Sequence, residues 1–211
     1  MTPVATGRPR DPAIDAAVLA ATLGVLRDQG YTGFTLEAVA ARAGTTKPTI
    51  RRRWPVRQDL VVDALASVLV TPPVPDNGCT RCDLTQSVRL LTEALHERLP
   101  PGVLAPLLAD CARDSRLHRR LVETVVQPSR RAAATAVRRA VERGDLHADT
   151  DPDMIVDLLA SAVYQRALLD PDAEVPVPAR ASVDLILRGA AVDFDRLVRI
   201  SRLPAEERHR H

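Results

Sequence analysis

Leucine, valine and alanine recur every three or four residues along this chain, in stretches closed by proline or glycine, with no convincing alternation of apolar and polar residues anywhere. A period near 3.6 builds helices with one apolar face, whereas half-buried strands need a period of two. The pattern therefore predicts an all-α fold. Only five aromatic residues occur, Tyr31, Phe34, Trp54, Tyr164 and Phe194, so the core has to be made of small aliphatic side chains in closely packed helices. With 211 residues and 45% apolar content there is enough of that material for one large domain or two small ones.

The stops set the organisation. A first helix is expected from Asp11-Pro12, a capping side chain before a proline at the first helical position, to Gly30, with Leu19, Leu23 and Leu26 on one face. Thr35 caps a second helix that turns Leu36, Val39, Ala40 and Ala43 inward and ends at Gly44. Thr45 or Thr46 caps a third, which stacks Ile50 on Trp54 and is stopped by Pro55. A fourth runs over about 57–70, before the break from Thr71 to Gly78. Beyond it, Leu84, Val88, Leu91 and Leu95 mark one amphipathic helix, and Leu104, Leu107, Leu108 and Cys111 the next. Leu117, Leu121 and Val125 begin a longer stretch that Pro128 is expected to kink or interrupt. Asp151-Pro152 restarts a helix with Ile155, Leu158, Leu159 and Ala162 on one face, and Val183, Leu187, Ala190, Phe194 and Leu197 form a last stripe. This amounts to about nine helices.

The net charge of +2 conceals an asymmetry, because residues 1–60 carry nine basic and five acidic groups. Residues 43–58 hold Lys47, Arg51, Arg52, Arg53 and Arg57 with no acid among them, which suits a polyanionic partner; a solvated face is the plainer alternative. No apolar run has the length of a membrane span and the first residues lack an apolar signal segment, so no membrane partner and a cytoplasmic location are expected. Cys79, Cys82 and Cys111 are too few for a disulfide framework. Cys79-x-x-Cys82 lies in a proline-rich connection with no second such pair, and zinc would have to recruit Cys111, His96 or His118 from a distance. No metal is expected, therefore, and free thiols are favoured, with a redox switch at Cys79 and Cys82 as the alternative. Glycine-rich phosphate loops, Gly-x-Ser-x-Gly elbows and His-Glu-x-x-His pairs are all missing, so neither an enzyme nor a cofactor is expected.

The segment from Thr35 to Trp54 has the parts of a helix-turn-helix: a capped supporting helix, a glycine turn and a short basic second helix. The N-terminal part of such a helix enters the major groove, which nominates Thr46, Lys47 and Thr49 for base edges or nearby phosphates. Arg51, Arg52 and Arg53 sweep about 300° of arc at 100° per residue, so they cannot all face one groove.

The run Gly30-Tyr31-Thr32-Gly33-Phe34-Thr35-Leu36-Glu37-Ala38-Val39-Ala40-Ala41-Arg42-Ala43-Gly44, followed by Thr46-Lys47-Pro48-Thr49-Ile50 and Trp54-Pro55, resembles the DNA-binding signature of the TetR family of bacterial transcription regulators. The resemblance implies a flexible arm over 1–7, a three-helix DNA-binding domain over 8–57 and a helical regulatory and dimerisation domain over 58–211. It implies a repressor that binds double-stranded DNA at a pseudo-palindromic operator and is released by a small-molecule effector. Phosphate contacts transfer to Thr35 and Arg57, and arginines of the arm, Arg8 and Arg10, are expected at the minor groove. The family commonly has tyrosine where this chain has Arg51, a residue able to bind guanine as well as phosphate. A homodimer is implied through about 152–169 and 180–200, packed as a four-helix bundle. The family's cavity would fall near Leu104, Leu107, Leu108, Cys111, Leu121, Val125, Leu159, Val163 and Tyr164, residues that ordinary core packing also explains. A helical adaptor that binds protein through its basic face is the competing function.

Overall fold

The computed structural model describes residues 12–70, 72–73, 76–170 and 178–210, so the arm with Arg8 and Arg10 lies outside the described residues. The fold is all-α, as the periodicity predicts, and the described residues form no strand beyond an isolated bridge between Leu146 and Ala191. Helix α1 (Pro12–Gly33) kinks at Gly30, whose φ of 67° lies in the left-handed region that glycine enters without steric cost. α2 (Leu36–Arg42) starts at Thr35, whose Oγ1 accepts from the Ala38 amide at 3.2 Å. Gly44, at φ 63°, makes the tight turn into α3 (Lys47–Arg53), which Thr46 caps by accepting from the Thr49 amide. α4 (Arg57–Leu69) follows.

The body begins with α5 (Thr80–Glu93), which runs on through a π-helical turn (Ala94–Arg98). α6 (Leu104–Arg113) and α7 (Ser115–Leu121) meet at Asp114, whose carboxylate accepts from the Arg116 and Leu117 amides. A second π turn (Val122–Val126) joins α7 to α8 (Gln127–Glu142). Pro128 does not break this rod. Proline lacks an N–H and its ring clashes with the carbonyl four residues back, and the widened turn just before it relieves that crowding. α9 (Pro152–Leu169), α10 (Ala179–Ala190), α11 (Phe194–Ile200) and a 3₁₀ turn (Ala205–Arg210) complete the described chain.

The stripe expected to run unbroken over 180–200 is divided instead. Ala191 is extended, the Val192 amide donates to the Asp145 carbonyl and the His147 amide to that of Ala190, so this backbone pairs with the α8–α9 loop before Asp193 caps α11. Leu197 is consequently buried inside the subunit rather than left for a partner, and Phe194 packs beside it under the Arg188 guanidinium.

Two apolar clusters hold the molecule. One joins α1–α4 to α6 and α7 through Val25, Leu26, Phe34, Ile50, Leu65, Leu107 and Leu117. The other gathers α5, α8, α9, α10 and α11 around Leu84, Val137, Leu159, Val183 and Leu187. The helix-turn-helix is thus cemented to α6 and α7 by apolar packing, with α4 between them.

Candidate nucleic-acid interface

Helices α2 and α3 form an exposed corner on a buried base of Leu36, Val39, Ile50 and Trp54. Thr35 and Thr46 are exposed, and each spends an acceptor on its own helix end; the Thr46 and Thr49 hydroxyls also lie 2.9 Å apart. Two more of the nominated residues are engaged within the corner. Lys47 pairs with Glu37 of α2 and holds its carboxyl below the usual glutamate range. Arg57 lies over the rings of Tyr31 and Phe34, with its carbon centre 5.7 Å from each centroid, and donates to the Phe34 carbonyl at 3.2 Å.

The three consecutive arginines divide as helical geometry requires. Arg53, with a side chain only 9% exposed, turns back to pair with Asp15 of α1. Arg51 and Arg52 are exposed and make no hydrogen bond or ion pair with other described residues. The corner therefore presents two uncommitted guanidinium groups to solvent, beside threonine hydroxyls and an exposed Pro48. Such a surface can engage phosphate oxygens and base edges of a duplex.

Residues outside the motif fix the corner's attitude to the body. The Tyr31 hydroxyl donates to Asp110 of α6 at 2.6 Å, and Gln58 donates to the same carboxylate at 3.3 Å. Burial pushes the Tyr31 hydroxyl's pKa upward, and the bond to Asp110 adds to the shift and lowers the carboxyl in return. Arg116 and Arg120 of α7 reach Asp59 and Asp63 of α4 at 2.8 and 2.6 Å. Sequence reading missed this network, because partners 50 to 80 positions apart leave no local pattern.

A cavity of about 90 Å³ lies among α5, α8 and α9, walled chiefly by Leu84, Val88, Leu91, Ala133, Val156 and Leu159. Tyr164 lines it, and burial alone raises its hydroxyl pKa; Arg130 at the wall bridges to Asp157 at 2.9 Å and to Asp153 at 3.0 Å. Pro72, just beyond α4, also touches it. Of the nine residues nominated for a ligand, Leu159 and Tyr164 are on this wall. Val163 is buried in the same core, whereas Leu107, Cys111, Leu121 and Val125, with Leu108 against them, belong to the cluster that joins α6 and α7 to the helix-turn-helix; Leu104 is half-buried on α6.

Cys79 and Cys82 are bonded to each other at the start of α5, which corrects the expectation of free thiols there, while Cys111 is free and buried. Spacing alone could not settle the pairing: Cys79 is the residue before the helix and Cys82 lies in its first turn, which sets their α-carbons 5.2 Å apart. Among the described residues no cluster of metal-ligating side chains occurs, and no helix is long and apolar enough to cross a membrane.

An apolar stripe remains uncovered on α9 and α10. Met154 is 61% exposed and Leu158 52% on α9, and Leu185 is 74% exposed on α10.

Comparison with known proteins gives a consistent result. Residues 18–64 match the family model described as bacterial regulatory proteins of the tetR family, and residues 74–186 the model described as a tetracyclin repressor-like C-terminal domain. The DNA-binding transcriptional repressor TetR of Mycobacteroides abscessus is 31% identical over 156 residues, covering 73% of this chain and 82% of that protein. An uncharacterised HTH-type transcriptional regulator of Bacillus subtilis, YdeS, is 27% identical over 79% of this chain and 84% of its own length. The crystal structure of the TetR family transcription regulator SCO0332 superposes with a TM-score of 0.66 at 32% identity, covering 83% of this chain and 97% of that one.

Proposed function

The chain belongs to the TetR family of DNA-binding transcriptional regulators, and from that premise we propose that it is a homodimeric repressor released from a pseudo-palindromic operator by a small apolar effector. The observation that carries the DNA-binding part is the division of charge on α3: Lys47 and Arg53 are tied to acids of the same subunit, while Arg51 and Arg52 face outward uncommitted. Two such corners related by a two-fold axis would read two half-sites about one helical turn apart. Thr35 and Arg51 would serve the phosphates that set register, and the arm's Arg8 and Arg10 would enter the minor groove.

The dimer reading rests on the stripe of Met154, Leu158 and Leu185, since large aliphatic side chains left half in water mark a surface that another subunit covers. The effector reading rests on the apolar cavity, on whose wall Tyr164 adds a hydroxyl to those of Ser87 and Ser129. Its present volume suits a fragment rather than a drug-sized ligand, so an effector has to spread α5, α8 and α9 to enter. Because Pro72 lies on the wall immediately beyond α4, that spreading biases the helix that carries the DNA-binding corner.

A gel-shift titration with duplexes drawn from the region upstream of its own gene tests the reading. Binding that weakens steeply with salt and is reversed by an apolar ligand supports it; salt-independent binding, or none, contradicts it.

A further inference from the structure

The two exposed arginines of α3 lie at different positions round the helix. Ile50 is fully buried and fixes the inward direction of the helix. At 100° per residue, Pro48 and Arg52 each lie about 160° from it, four positions apart on the outward pole. Lys47 and Arg53 fall about 60° to either side of Ile50, in keeping with the ion pairs they make to α2 and α1. Arg51 lies about 100° round on the flank it shares with Lys47, close enough to Glu37 of α2 to help lower its carboxyl pKa.

A helix lying in the major groove turns its outward pole to the floor, where base edges are, and its flanks to the phosphate walls. We infer that Arg52 is the sequence-reading residue of this protein and that it recognises a guanine in each half-site, through a bidentate contact to O6 and N7. Arg51 serves the backbone. The inference rests on the reading that α3 enters the groove, and adds the residue and the base. Arg52 suits the role on three counts: it is exposed, no acid of the described chain competes for its fork, and its neighbour on the pole, Pro48, has no hydrogen-bonding group to intervene. Arginine to guanine is also the commonest specific pairing that groove geometry permits.

The test is selection of bound sites from random duplexes by the full-length protein, repeated with Arg52→Ala, Arg52→Lys and Arg51→Ala. The expected wild-type site has a guanine at a fixed place in each half-site. Replacing that base by 7-deazaguanine, which lacks the N7 acceptor, is expected to weaken wild-type binding about ten-fold and leave Arg52→Ala binding unchanged. Arg52→Lys keeps a donor and the charge without the planar fork, so it is expected to weaken the guanine preference that Arg52→Ala loses, whereas Arg51→Ala is expected to bind every sequence more weakly with the preference intact. If Arg52→Ala selects the same guanine as wild type, the inference is overturned while the groove reading stands. If wild type enriches no sequence at all, the groove reading falls and takes the inference with it. Both arginines are solvent-exposed, so near-UV circular dichroism is expected to match wild type in each variant.

Discussion

The Trp54 indole nitrogen donates to the Asp63 carboxylate at 2.8 Å, and the other oxygen of that carboxylate accepts from Arg120 at 2.6 Å. Trp54 closes the C-terminal end of α3, Asp63 is on α4 and Arg120 on α7, so a single carboxylate ties the recognition helix to the body. Asp63→Ala leaves a partly buried indole N–H and a guanidinium without their acceptor, and is expected to cost about 1–3 kcal/mol in urea unfolding. If the link also sets the corner's attitude, operator affinity falls in the variant at temperatures where it remains fully folded.

Arg53 and Arg52 are neighbours with opposite duties. Arg53→Ala removes a largely buried guanidinium that braces α3 against Asp15 of α1, so it is expected to lower stability by about 1–2 kcal/mol in thermal unfolding. Its effect on which DNA sequences are selected should be nil. A changed sequence preference with unchanged stability would reverse this assignment.

The acid limb of stability is expected to depend on Asp184. The Arg81 guanidinium donates to it twice, at 2.6 and 2.7 Å, and holds its carboxyl below the usual aspartate value of 3.8. A pKa depressed in the folded state gives stability that is complete above the unfolded value and is lost as pH falls through the folded one. Asp184→Asn should therefore be less stable than wild type at pH 7, by about 1–3 kcal/mol, with the gap narrowing below about pH 4. Urea unfolding at pH 7 and at pH 3 measures both ends.

The uncovered stripe makes the oligomer testable. Placing an acid at Leu158 or Leu185 sets like charges against each other across a two-fold interface, so Leu158→Asp and Leu185→Asp are expected to sediment as monomers. Such monomers keep their helical circular dichroism, because neither side chain is part of the subunit's own core. A dimer that persists in both variants would place the interface elsewhere.

What the sequence made legible is local. Thr35 and Thr46 read as caps because a capping hydroxyl and the amide it accepts are three residues apart, and Gly30 and Gly44 read as stops because a left-handed φ favours glycine. What stayed hidden depends on pairing across the chain. Arg53 looked like a DNA contact because its partner Asp15 lies 38 positions away, and nothing in the motif hints that Tyr31 bonds to Asp110. Periodicity marked Leu107, Cys111 and Leu121 as inward-facing, yet it carries no information on which of two cores receives them. The break at Ala191 was invisible for a similar reason: no proline or glycine occupies it, and the stop comes from backbone pairing with a loop some 45 residues earlier.

The central claim is that a dimer of this chain lays the outward faces of two α3 helices in a duplex. It is tested most directly by measuring affinity for a selected duplex across a range of salt concentrations, with the number of subunits bound determined by sedimentation. The account predicts two subunits per duplex and a log–log salt slope on the order of −4 or steeper, made shallower in the Arg51→Ala variant. A folded, dimeric sample that ignores every double-stranded oligonucleotide at low ionic strength would contradict it.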